Sequence, residues 1–111
     1  MTRSEEFKLD KVIRDGMVGV LVSLGYGAGW YSWHSIPELL FDPEVISMVQ
    51  KSTPAKIIEE YCVRVYGDDH YYGGADGLCV KWIPEGTQFY INEYDGAEWL
   101  VTISDVEWIT A

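Results

Sequence analysis

Two histidines, His34 and His70, two cysteines, Cys62 and Cys79, and eighteen Asp and Glu are the side chains that could do acid–base, nucleophilic or metal chemistry. A nucleophile needs a base beside it and a third group to orient that base. Cys62, Asp68 and His70 are close enough in sequence to meet, but no Gly-x-Ser-x-Gly, His-Glu-x-x-His or familiar Cys–His spacing occurs. The cysteines match no zinc spacing and read as two buried, reduced thiols. "GDDHYYGGAD" (67–76) offers Asp68, Asp69, His70 and Asp76 as oxygen and nitrogen donors. Counted from Asp68 as a calcium loop it fails, with Tyr72 at the fifth position and Cys79 at the twelfth. The expectation is a protein without catalytic residues, cofactor or metal.

A second chemistry is binding. "GYGAGWYSWH" (25–34) sets three glycines among aromatic residues. A dinucleotide fingerprint needs a third glycine where Trp30 stands, and then a helix, whereas Pro37 soon interrupts this stretch. No Gly-Lys-Ser/Thr follows, so it is no P-loop either. What remains is a tight turn after a strand, with aromatic packing. As a ligand site it would stack a base or hold a peptide on Tyr26, Trp30 and Trp33. Ser32 and His34 would add hydrogen bonds, and Arg14 would lend positive charge.

The net charge is −10. Residues 66–111 carry nine acids and one base, Lys81. Such a field repels phosphates, so direct nucleic-acid binding is not expected. It suits a basic protein surface, including one built to hold nucleic acid. The acids left over after sheet building are Asp76, Glu85, Glu93, Asp95 and Glu98, and these are the candidate protein-binding set.

The elements that must place these groups read as follows. "MVGVLVSL" (17–24) is a short, β-branched, buried strand. Asp42-Pro43-Glu44 has helix-start chemistry, and Thr53-Pro54 repeats it, so two helices or one broken helix cover about 43–66, with Gly67 as the stop. "GDDHYYGGADG" is a loop and "LCVKWI" a strand. Asp95-Gly96 is a type I′ turn signal inside the hairpin "QFYINEYDGAEWLVTI", and "SDVEWITA" ends the chain as a short strand or turn. The fold expected is α+β: a four- to five-stranded, mostly antiparallel sheet, ending in a three-stranded meander, with the helices on one face.

The length suits one domain over residues 1–111, with 1–7 frayed. No apolar run is long enough for a membrane span. The first residues carry acids and no apolar signal core, so a cytoplasmic location is expected.

Three blocks, "GYGAGWYSW" (25–33), "LLFDPEVISMV" (39–49) and "GGADGLCVKWIPEGTQFYINEYDGAEW" (73–99), resemble a family of small uncharacterised proteins of bacteriophages and prophages. The chain departs from that pattern at His34, where asparagine is expected, and at Gly77, where a second aspartate is expected. The family supplies no catalytic residues to carry over. The resemblance implies a phage-type accessory protein, a class that includes anti-CRISPR proteins and sponges for immune signalling nucleotides. The leading expectation is an inhibitor whose acidic second half faces a basic surface of a host defence protein. The alternatives are a nucleotide sponge at residues 25–34 and a structural protein that self-assembles into a homo-oligomer.

Overall fold

The middle strand explains the architecture. In the computed structural model, which describes residues 10–25 and 29–102, β1 (Ile13–Arg14), β2 (Met17–Ser23) and β3 (Leu78–Pro84) form one antiparallel sheet in that order. β2 is apolar at nearly every position because both its faces are covered. Leu21 faces a core built with Val45, Ile46, Ile58 and Cys62 of two helices, α2 (Pro43–Gln50) and α3 (Ala55–Tyr66). Val18 and Val20 face the other way, into a core with Leu40, Phe41 and Ile83. Phe89, Ile91 and Leu100 close that second core from β4 (Phe89–Tyr94) and β5 (Ala97–Thr102). The order is helices, three-stranded sheet, two-stranded hairpin.

The α+β class and the five antiparallel strands match the sequence reading, but the strands form two sheets rather than one. The expected meander is also corrected. β3 is zipped along its full length to β2, from Met17↔Pro84 to Ser23↔Leu78, and it does not pair with β4. β4 and β5 pair only with each other and lay their inner face across β2.

Local signals set the element ends. Asp42 caps α2, its carboxylate accepting from the Glu44 and Val45 amides at 2.8 and 3.1 Å. It also accepts from the hydroxyls of Tyr61 and Tyr66, which fastens α3 to the start of α2. Thr53 does not cap α3, which begins at Ala55 with no side-chain cap. Asp95 and Gly96 both take positive φ, 49° and 85°, as a type I′ turn requires. Asp15 and Gly16 do the same at 52° and 76° between β1 and β2. Residues 31–34 form one helical turn, α1, followed by a 3-10 turn at Pro37–Leu40. Part of the expected 67–77 loop is a 3-10 turn at Gly73–Gly77. The expected fraying of 1–7 and the expected last strand after 103 lie outside the described residues, as does Tyr26.

Candidate functional site

The residues on either side of the glycine loop, Ser23 before it and Trp30 and Ser32 after it, are held by one carboxylate from β5. Glu98 on β5 is 2 % exposed. Its Oε1 accepts from the Ser23 amide at 3.0 Å. Its Oε2 accepts from the amides of Trp30 and Ser32, at 2.7 and 2.8 Å, and from the Ser32 hydroxyl at 2.5 Å. Four charge-assisted bonds satisfy a buried anion that has no Lys or Arg ion-pair partner among the described residues. Converging backbone amides make a cradle for an anion, and here the protein's own carboxylate occupies it. The glycines make the room. A Cβ at Gly29 would press on Ser32 Oγ and Trp33 Cδ1 and lie 2.9 Å from Glu98 Oε2. A Cβ at Gly74 would run into the Gly29 carbonyl.

This arrangement redistributes the ligand residues read from the sequence. Trp30 is wholly buried and donates its indole N–H to the Leu39 carbonyl at 2.8 Å, so it offers no stacking face. Ser32 is bound to Glu98. His34 is buried against Trp30, with ring centroids 4.7 Å apart, and its Nδ1 accepts from the Ile36 amide at 2.9 Å. That bond places the imidazole proton on Nε2, which has no hydrogen-bond partner among the described residues. Burial, with a smaller contribution from His70, lowers the His34 pKa from 6.5 to about 4. Arg14 stands beside Met17, at the opposite end of β2 from Ser23, about 20 Å of strand away. It donates to Gln50 Oε1 and lies over the Trp82 ring, so it lends the loop no charge. Of the described stacking candidates only Trp33 is open, half exposed and paired with Tyr71 at 5.3 Å.

The five acids do not form one patch. Glu98 is buried because it lies on the inner face of the hairpin, where four donors replace its water. Asp76 borders a cavity of about 360 Å³ on the helical side, lined also by Thr53, Pro54 and Ile58. Glu85 follows β3, its amide donating to the Gly16 carbonyl at the Arg14 end of the sheet. Glu93 and Asp95 alone remain together, exposed at the hairpin turn, with Glu93 Oε2 accepting from the Gly96 amide at 3.0 Å.

The sequence reading missed the outer face of that hairpin. The register Tyr90↔Val101, Asn92↔Trp99 and Tyr94↔Ala97 puts three aromatic residues on one side. Tyr90, Trp99 and Tyr94 are 54, 43 and 67 % exposed. The signal was present in the alternation of "FYINEY", where Phe89 and Ile91 take one side and Tyr90 and Tyr94 the other.

Cys62 is fully buried, and burial, then Asp42 and Glu59, push its thiol up to about 12, so it stays protonated. Among the described residues no three His, Cys, Asp or Glu side chains are grouped to hold a metal ion. No described helix is long and apolar enough to cross a membrane. No family model, curated protein or solved structure matches the chain.

Proposed function

We propose that this is a non-enzymatic binding protein that docks a partner protein on the outer face of the β4–β5 hairpin. The observation that carries the reading is the row Tyr90, Trp99, Tyr94, exposed on one sheet face, with the acidic turn of Asp95 at its end and Glu93 exposed on the opposite face. Large exposed aromatic groups beside a polar rim are the composition of a protein interface. The acids bias that interface toward a basic partner, and the acid excess beyond residue 66 extends the bias to longer range. The resemblance to phage and prophage proteins makes the partner a host protein. A defence protein whose nucleic-acid-binding surface is basic fits the charge.

The nucleotide sponge has one supporting observation, the open Trp33–Tyr71 pair. Against it, the amides a phosphate would need already hold Glu98, and Arg14 is at the other end of the sheet. A phosphate brought there would meet a buried carboxylate.

The test is capture by the full-length chain from lysate of a defence-proficient bacterium, read by native mass spectrometry. The wild type and a Glu93→Lys/Asp95→Lys variant are compared at low and high salt. The expected result is a protein subunit retained by the wild type at low salt and lost both in the variant and at high salt. Equal capture by the two proteins, or a small adduct with no protein subunit, overturns the reading.

A further inference from the structure

We infer that His34 is an acid-sensitive latch: uptake of a proton drives its ring out of the interior and unwinds the single turn of α1 as far as Ile36, while the sheet and the two longer helices stay folded. This device is independent of the docking reading above.

The site of the ring suits only its neutral form. Nδ1 accepts from the Ile36 amide at 2.9 Å. An imidazolium carries a hydrogen on each nitrogen and accepts nothing. Protonation therefore sets an N–H against the Ile36 N–H where a hydrogen bond stood. The ring is buried beside Trp30, Tyr31 and Tyr72. The titratable groups on the surrounding elements do not offset the new charge. His70, between α3 and β3, would repel it when charged, and lies 3.5 Å from Asp69. Asp68 and Asp69 are exposed in the same segment, and Glu38 is exposed on the 3-10 turn. The Tyr72 phenol donates to the Gly67 carbonyl, and the Cys62 thiol stays protonated. On the hairpin, Glu98 is bound to the amides of Ser23, Trp30 and Ser32, and Glu93 to that of Gly96. Burial, with His70 second, keeps the His34 pKa at about 4, against 6.5 for a ring in water.

α1 is the element that gives way. It has no side-chain cap and ends at Ser35, whose φ is +58°. A single helical turn fixes more backbone freedom than its hydrogen bonds return, so its side chains must hold it. Ser32, Trp33 and Ser35 are exposed, and His34 is the one fully buried residue of the turn. On either side, Trp30 and Leu39 are wholly buried and joined by the indole-to-carbonyl bond. They confine the opening to residues 31–36. The opening also takes the Ser32 amide and hydroxyl away from Glu98, which keeps the amides of Ser23 and Trp30. The inner anchor of the hairpin weakens with the latch.

The experiment follows amide hydrogen exchange and histidine ring nitrogen shifts of the full chain by NMR from about pH 7 to about pH 4.5. A ring that titrates at 6.5 when open and at about 4 when closed raises the opening equilibrium about 50-fold over that range. Protection of the Ser32, His34 and Ser35 amides, corrected for intrinsic exchange, is expected to fall by about that factor. At the acid end it should lie at least about tenfold below that of the β2–β3 ladder, which marks the opening as local. His34→Asn, whose side-chain oxygen still accepts from the Ile36 amide, should hold the fall under about threefold. In the wild type the ring should show the Nε2–H form at neutral pH and a midpoint below about 5. Equal protection of turn and ladder at the acid end means that the turn opens only with the whole protein, and overturns the inference. So does an undiminished fall in His34→Asn. If that variant does not fold, the wild-type ring decides: a midpoint near 6.5, or a proton on Nδ1 at neutral pH, overturns the latch.

Discussion

Glu93 and Glu98 face each other across the hairpin, and only one of them is in water. Glu93 turns its carboxylate to the Gly96 amide at the surface. Glu98 sends its own inward, where amides from β2 and from Trp30 and Ser32 enclose it. Two like charges opposite one another would repel if both were solvated side by side. Here the four donors around Glu98 stabilise its charge from the other side.

Glu98→Ala leaves the buried amides of Ser23 and Trp30, and the part-buried amide and hydroxyl of Ser32, without this acceptor. The expected cost is about 2–4 kcal/mol. Glu98→Gln keeps the shape but turns one acceptor into a donor and should cost most of the same. Urea unfolding followed by circular dichroism checks it. A loss under about 0.5 kcal/mol for both variants would mean that the cradle contributes little to stability.

Gly74→Ala and Gly25→Ala make a paired test of loop packing. A Cβ at Gly74 meets the Gly29 backbone, which cannot swing aside, whereas a Cβ at Gly25 meets nothing within 4 Å among the described residues. Gly74→Ala should destabilise by about 2 kcal/mol or more, and Gly25→Ala by less than about 0.5 kcal/mol. Equal melting temperatures for the two would contradict the interlock between residues 29 and 74.

His34 sets an acid-side dependence. Its pKa is about 4 in the folded protein against an ordinary 6.5, so the unfolded chain binds the extra proton first. This contribution to stability is complete above pH 6.5 and is lost as the pH falls toward 4. The slope in that window reaches at most about 1.4 kcal/mol per pH unit from this residue. His34→Asn, which can still accept from the Ile36 amide, should flatten the profile between pH 6.5 and 4. An unchanged slope in that variant would assign the acid sensitivity to other groups.

Tyr61 and Tyr66 set the alkaline side. Burial first, then hydrogen bonding to Asp42, raises both phenols above their ordinary 10. Their contribution is present below pH 10 and is lost as the pH rises beyond it, because the unfolded phenols ionise first. Tyr66→Phe should cost about 1 kcal/mol at neutral pH and reduce the loss above pH 10. Asp42→Ala removes the helix cap together with both hydroxyl acceptors and should cost about 2–4 kcal/mol. Thermal melts at neutral and alkaline pH decide both.

The sequence alone determined what depends on near neighbours. Asp42 caps α2 because its acceptor lies two and three residues from the amides it meets. Asp95-Gly96 forms its turn because those two residues tolerate positive φ, and the same pair at Asp15-Gly16 could have been read the same way. The α+β class followed from such segments and their periodicity. The tertiary structure decided everything that needed distant partners. Nothing near Glu98 in the chain shows that its donors are Ser23, Trp30 and Ser32, and until it is placed there it reads as one more surface acid. Nor can spacing reveal that Trp30 is enclosed while Trp33 is open, since a tryptophan serves core and surface alike. Alternation along β4 does divide its residues into two faces. Which face meets β2 and which is left exposed was settled only when Phe89, Ile91 and Leu100 found the core, leaving Tyr90, Tyr94 and Trp99 outside.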